Sequence, residues 1–136
     1  MNIEKEIRKK VRSILKEYIT NSDLKSVDSF ADSLFSDVGI DVAFTKHFVD
    51  RVNDLRNGKD ITPEELKDLF KKEYEKYGET ISKLPIGSER VMTDLNTNIN
   101  IPFALSWDNK SPDMNLVTKT VMRKKDFKST VPKLPV

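Results

Sequence analysis

A chain of 136 residues, 37% hydrophobic and 34% charged, is long enough for one modest core, and its apolar residues fall into periodic blocks that exclude a disordered chain. It holds no cysteine, which excludes disulfide staples, and no apolar run long enough to span a bilayer. The formal net charge is only +2 but unevenly spread: residues 115–136 carry six Lys/Arg against Asp126, while residues 21–45 carry five Asp against Lys25. Such a basic end suits an anionic partner, with RNA or another nucleic acid first, or simply keeps a solvated tail soluble. The N-terminal stretch lacks the apolar core of a secretory signal, so the expected compartment is the cytoplasm or a virion.

Residues 2–19 predict a helix with Ile3, Ile7, Val11, Ile14, Leu15 and Tyr18 on one stripe and Lys5, Arg8, Lys9, Arg12 and Lys16 on the other. The polar run Asn21-Ser22-Asp23 is expected to break it. A second helix follows over roughly 26–38, stopped by Gly39. Thr45 caps a third over about 46–56, with Phe48, Val52 and Leu55 inward. The fourth has the clearest local signal: Thr62 as N-cap, Pro63 in the first turn and Glu65 closing a capping box. It is expected to end near Tyr77, at Gly78.

Beyond Gly78 the period changes. Val91–Leu95, Ile101–Trp107 and Asn115–Arg123 read as strands separated by Asn- and Pro-rich turns, with a further strand conceivable near Thr80–Leu84. Pro102–Trp107 and Leu116–Met122 suit an antiparallel hairpin. In the last strand, Leu116, Thr118, Thr120 and Met122 would share one face, and Val117, Lys119, Val121 and Arg123 the other. Trp107 is expected in the core, with a stacking platform for a base as the alternative. Helices followed by strands predict an α+β fold: about four N-terminal helices, then a three- to four-stranded antiparallel sheet. Residues 1–128 make a single domain, of which 1–40 is a helical N-terminal extension, and 129–136 a tail.

The only histidine, His47, precedes Arg51 by four positions, so the two share a helix face. Imidazole is the one side chain here naturally poised for proton transfer near neutral pH. A lone histidine is also commonly a surface bystander, and Arg51 could simply pair with Asp50, Asp54 or Asp41. With one His, no Cys and no calcium-loop spacing, no metal or cofactor is expected. A second cluster gathers Thr118, Lys119, Thr120 and Arg123 on the last strand, with Lys124 and Lys125 just beyond. Hydroxyls beside cations can bind phosphate oxygens, though the same residues suit an edge strand guarded against aggregation. The Asx-rich run Asp94, Asn96, Thr97, Asn98 and Asn100 reads as a turn.

The stretch His47-Phe48-Val49-Asp50-Arg51-Val52-Asn53-Asp54-Leu55-Arg56, followed by Ile61-Thr62-Pro63-Glu64-Glu65-Leu66, resembles small toxin-like ribonucleases of the barnase–EndoU–colicin–RelE superfamily, in particular BrnT-like and phage-encoded branches. The resemblance covers about residues 44–125, a nuclease-like core, and departs from the pattern in the spacing from Arg51 to Arg56 and in the loop before Ile61. It implies a phage-encoded protein working in a bacterial host cell or carried by a virion. It also implies metal-independent RNA cleavage, in which the 2′-hydroxyl attacks the adjacent phosphorus. His47 would then serve as acid or base and Arg51 and Arg123 would hold the phosphate. Thr118, Thr120 and Lys119 would complete the site, with Arg56, Lys124 and Lys125 binding the nucleic acid. The rival readings are a non-catalytic nucleic-acid or virion-associated module, and a protein-interaction adaptor docking through the first helix.

Overall fold

A computed structural model describes residues 19–108 and 112–136. The expected first helix therefore lies outside the described residues, apart from Ile19. Among those residues the order is helix α1 (Asn21–Phe35), strand β1 (Ile40–Phe44), helix α2 (Lys46–Val52), helix α3 (Pro63–Ser82), and strands β2 (Glu89–Thr93), β3 (Ile99–Ser106), β4 (Met114–Thr118), β5 (Met122–Arg123) and β6 (Lys133–Pro135). The fold is α+β, but the sheet is mixed rather than antiparallel, in the order β1-β4-β3-β2-β6, with β5 also pairing β3.

Asn21-Ser22-Asp23 forms the first turn of a helix, which begins about five residues earlier than the pattern predicts. The Thr20 hydroxyl accepts the Asp23 N–H while the Asp23 carboxylate accepts the Thr20 N–H, a reciprocal cap that satisfies two orphan donors. α1 then buries Leu24, Val27, Ala31 and Phe35. A single 3₁₀ turn and Gly39 at φ +74° release the chain, as the sequence predicts.

β1 is the element that sequence pattern did not give. Ile40 and Val42 point into the core, but five residues between Gly39 and Thr45 leave too short a run to stand out. β1 pairs in parallel with β4, Val42 opposite Leu116, so the helices and two strands between them form one long crossover. Its outer edge is blunted by Asp32, whose carboxylate accepts the Val42 N–H at 2.6 Å. α1 packs on both β1 and α3, so it belongs to the core rather than to an extension.

α3 runs through Gly78 to Ser82, which removes the strand expected near Thr80–Leu84. Gly78 is buried against the Tyr74 ring, where a Cβ would come within 2.8 Å, so the glycine serves packing within the helix instead of ending it. The β3/β4 hairpin forms as predicted, with Phe103 opposite Thr118 and Leu105 opposite Leu116. Ile99, Ile101, Phe103 and Leu105 alternate onto the helix-covered face. Trp107 is not in the core: it is 49% exposed, at the end of β3 far from β5.

Residues 129–136 are not a tail. β6 lies parallel to β2, Leu134 is buried, and the Pro135 carbonyl accepts from Tyr77 Oη and Lys76 Nζ. The pattern was hidden by Pro132 and Pro135, residues that an edge strand tolerates.

Glu73 on α3 is fully buried, and neither carboxyl oxygen has a well-formed hydrogen bond among the described residues. Burial pushes it up to about 9, with Asp94 adding to the rise and Lys76, the Thr93 amide and Lys72 opposing it. It is thus a neutral acid at pH 7. Because the folded state keeps its proton while the unfolded chain releases it, stability should decline as pH rises from 4.5 to about 9. Glu73→Met is expected to remove that slope and to stabilise the fold at pH 7 by about 1–3 kcal/mol, the cost of an unsatisfied buried polar group. Urea unfolding of both chains across this pH range checks it.

Candidate functional site: a cationic cleft beside the sheet

Two contacts dock α2 against the end of β4. The Thr45 hydroxyl accepts the Phe48 N–H as helix cap and donates to the Lys119 carbonyl, while the Thr45 N–H donates to the Thr118 carbonyl. Phe48 and Val52 then fall into the core, and ring stacking of Phe44 on Phe48 at 4.5 Å fixes the rotation of the helix. That rotation leaves His47 and Arg51 on the outer face, one turn apart. After α2, Asp54 caps a 3₁₀ turn (Leu55–Asn57) by accepting the Arg56 N–H at 2.8 Å. Asn57 is buried and ties this turn to the sheet: its Nδ2 donates to the Arg51 carbonyl and its Oδ1 accepts the Arg123 N–H, each at 3.0 Å.

The result is a cleft of about 600 Å³ between α2 with its following turn and the segment from Thr120 to Lys124. Ten residues line it: four cations (Arg51, Arg56, Arg123, Lys124), one carboxylate (Asp54), His47, Asn57, Thr120, Val121 and Met122. His47 and Arg51 therefore meet Thr120, Arg123 and Lys124, half of the second cluster singled out in the sequence.

Within the cleft, the Arg51 Nε donates to His47 Nε2 at 3.4 Å, and Arg51 Nη1 pairs with Asp54 Oδ2 at 2.7 Å. Arg56 Nη2 reaches the same oxygen at 2.9 Å, and its Nε lies 3.2 Å from Asp54 Oδ1. His47 is exposed and Lys124 is exposed, whereas Thr120 is half-buried. Val121 and Met122 provide an apolar floor.

Arg123 lines the cleft but is not free to hold a phosphate. All five of its N–H donors are engaged: Nε with the Lys59 carbonyl, Nη1 with Glu65 and the Thr97 carbonyl, Nη2 with Glu65 and the Asp60 carbonyl. Its ion pair with Glu65 is 2.7 Å long, with side chains only 11% and 18% exposed. Burial pushes Glu65 up, but the Arg123 hydrogen bonds and charge, with the Thr62 amide and Lys59, outweigh it and hold the carboxyl below its usual 4.5. The capping-box glutamate is thus also the counter-ion of a clamp joining β5, the loop before α3 and the turn before β3.

Three more predicted site residues lie elsewhere. Thr118 is fully buried, and its hydroxyl donates to the Ala43 carbonyl across the β1–β4 pair at 3.2 Å, which makes it part of the sheet. Lys119 forms an ion pair with Glu89 of β2. Lys125 is exposed in the turn with Asp126 and is not among the lining residues. The cause is a break in the strand. Lys119–Val121 interrupt β4 and β5, with the Lys119 N–H donating to the Pro102 carbonyl, so the two-residue alternation expected over the whole strand does not carry through. Val121 goes to the core.

The Asx-rich run is a turn, as its composition predicts. Asp94 is buried, its Oδ1 accepting the Asn96 and Thr97 N–H groups and its Oδ2 pairing with Lys72 at 2.9 Å. Among the described residues no three metal-ligating side chains are grouped. Comparison with protein-family models, curated proteins and solved structures returns no match for this chain.

Sequence reasoning offers Asp54 as one possible partner of Arg51, which it is, but misses its pairing with Arg56 and its cap of the turn, and misses Asn57 altogether. The signal for Asp54 was present in the run Asp54-Leu55-Arg56, an acid followed two residues later by a base, which suits a side-chain-capped turn. Asn57 gave none, because its partner Arg123 lies far along the chain.

Proposed function

We propose that the cleft binds a phosphodiester of RNA and cleaves it without a metal through a 2′,3′-cyclic phosphate. The observation that carries this reading is the convergence of the only imidazole with Arg51, Arg56, Thr120 and Lys124 around a pocket holding four cations and one carboxylate. His47 Nε2 takes the proton of the 2′-hydroxyl. The 2′-oxygen then bonds to phosphorus, the bond to the 5′-oxygen breaks, and that oxygen takes a proton from solvent. Arg51 and Arg56 steady the non-bridging oxygens of the phosphorane, Thr120 donates to one of them, and Lys124 meets a flanking phosphate. The apolar floor of Val121 and Met122 gives a ribose or base a place to rest.

A second reading, nucleic-acid binding without chemistry, is favoured by the withdrawal of Thr118 and Arg123 into structural contacts. The experiment that separates them is incubation of a random-sequence RNA pool with the full chain in EDTA. Fragments ending in cyclic phosphate support cleavage. Retention of intact RNA on the protein, weakening steeply with salt, supports binding alone.

A further inference from the structure

We infer that Asp54 is a built-in counter-anion: its carboxylate occupies the position between Arg51 and Arg56 that the phosphate of a ligand would take, so that the cleft rests in a self-inhibited arrangement. The inference depends on the reading of the cleft as a phosphate site. One oxygen, Oδ2, receives Arg51 Nη1 at 2.7 Å and Arg56 Nη2 at 2.9 Å, which is the convergence of two guanidiniums on one anionic oxygen that phosphate recognition uses. The same network extends to the imidazole, since Arg51 Nε donates to His47 Nε2. Both arginines and the acceptor nitrogen of the imidazole are therefore engaged at once by groups of the protein.

Asp54 cannot simply leave. Its Oδ1 accepts the Arg56 backbone N–H and fixes the turn, so the guanidiniums must turn away from the carboxylate when a ligand arrives. Arg56 is suited to this, with a side chain 73% exposed. Arg51 moving toward a phosphate would also leave His47 Nε2, returning the imidazole's lone pair to use at the moment a substrate is bound. A single small anion competes poorly with a tethered carboxylate. A polyanion that also engages Lys124 competes well, so the device selects against free phosphate and in favour of a chain of phosphates.

The test is titration of the full chain with inorganic phosphate, followed by NMR of its one imidazole. Asp54→Asn keeps an oxygen to cap the turn and loses the charge, and it is expected to tighten phosphate binding about fivefold, the scale of a surface ion-pair effect, by releasing both arginines. Asp54→Ser, which also keeps a capping oxygen, gives the same reading should the asparagine variant not fold. Asp50→Asn removes the same charge from an exposed position on α2 outside the cleft and is expected to change affinity little. Equal tightening by Asp50→Asn, or no tightening by either Asp54 variant, overturns the role of Asp54 while leaving the phosphate site intact. If phosphate moves the imidazole resonances in none of these proteins, the phosphate site itself falls, and the inference with it.

Discussion

Replacing His47 by alanine is expected to slow RNA cleavage by about 10²–10⁴-fold, the range that a positioned general base supplies. The imidazole stands exposed on the outer face of α2, and among the described residues its side chain takes part in one hydrogen bond, from Arg51 Nε at 3.4 Å. Stability should therefore stay within about ±0.5 kcal/mol, as for other surface positions away from packing and caps. This separation of chemistry from folding makes the variant informative. Single-turnover cleavage at pH 7 in EDTA, with urea unfolding run beside it, measures both quantities. Because the chain has one histidine, no second imidazole can take over the proton. Unchanged cleavage by a folded His47→Ala protein would move the base to another group.

Arg123→Met is expected to destabilise the fold by about 3 kcal/mol, the lower end for removing one partner of a largely buried ion pair. Methionine fills much of the space but leaves Glu65 and the carbonyls of Lys59, Asp60 and Thr97 without their common donor. The effect has a pH signature. Glu65 is held below its ordinary 4.5 in the folded state, so its ion pair contributes stability above that value and loses it as pH falls through the lower folded value. The wild-type protein should lose this part of its stability on acidification below 4.5, and Arg123→Met should lack that part of the slope. Urea unfolding from pH 7 to pH 3 tests both the size and the sign. The Glu65→Gln variant should show the same flattening with a smaller loss, since its amide oxygen still accepts from the guanidinium.

Local chemistry was legible where a motif is closed within a few residues. The Thr62–Glu65 capping box, the Thr45 cap, the Gly39 stop and the β3/β4 hairpin all follow from side chains that act on their own neighbourhood. The meeting of His47 and Arg51 with Thr120 and Lys124 was anticipated from residue chemistry, and its physical means is the Thr45–Lys119 contact that docks α2 at the end of β4. Long-range terms were less visible. β1 is defined by its parallel pairing with β4 across more than seventy residues, and β6 by its parallel pairing with β2, so neither leaves a strong local pattern. Residue type alone suits Arg123 to a phosphate, while its five side-chain hydrogen bonds go to four residues in two separate loops and helix α3. The sequence pattern groups Thr118 with Thr120 on one strand face, but Thr118 follows Leu116 into the buried face, and a break at Lys119–Val121, which no periodicity announces, separates it from Thr120.

The difference between Arg51 and Arg123 illustrates what decides function among like residues. Both line the same cleft, yet Arg123 spends every donor inside the protein, while the Nη2 group of Arg51 makes no hydrogen bond to any described residue. Count of cations alone overstates what the cleft offers to a ligand. Net of the Arg123–Glu65 pair and of Asp54, the usable positive charge rests on Arg51, Arg56 and Lys124.

The most direct measurement uses a chimeric oligonucleotide pool of random sequence in which every sugar is 2′-deoxy except at one position, incubated with the protein in EDTA. The account predicts cleavage only on the 3′ side of the single ribose, leaving a cyclic phosphate there, and no cleavage of the matching all-deoxy pool. Scission at deoxy positions, or fragments without the cyclic end, would contradict attack by the 2′-hydroxyl and with it the assignment of His47 as its base.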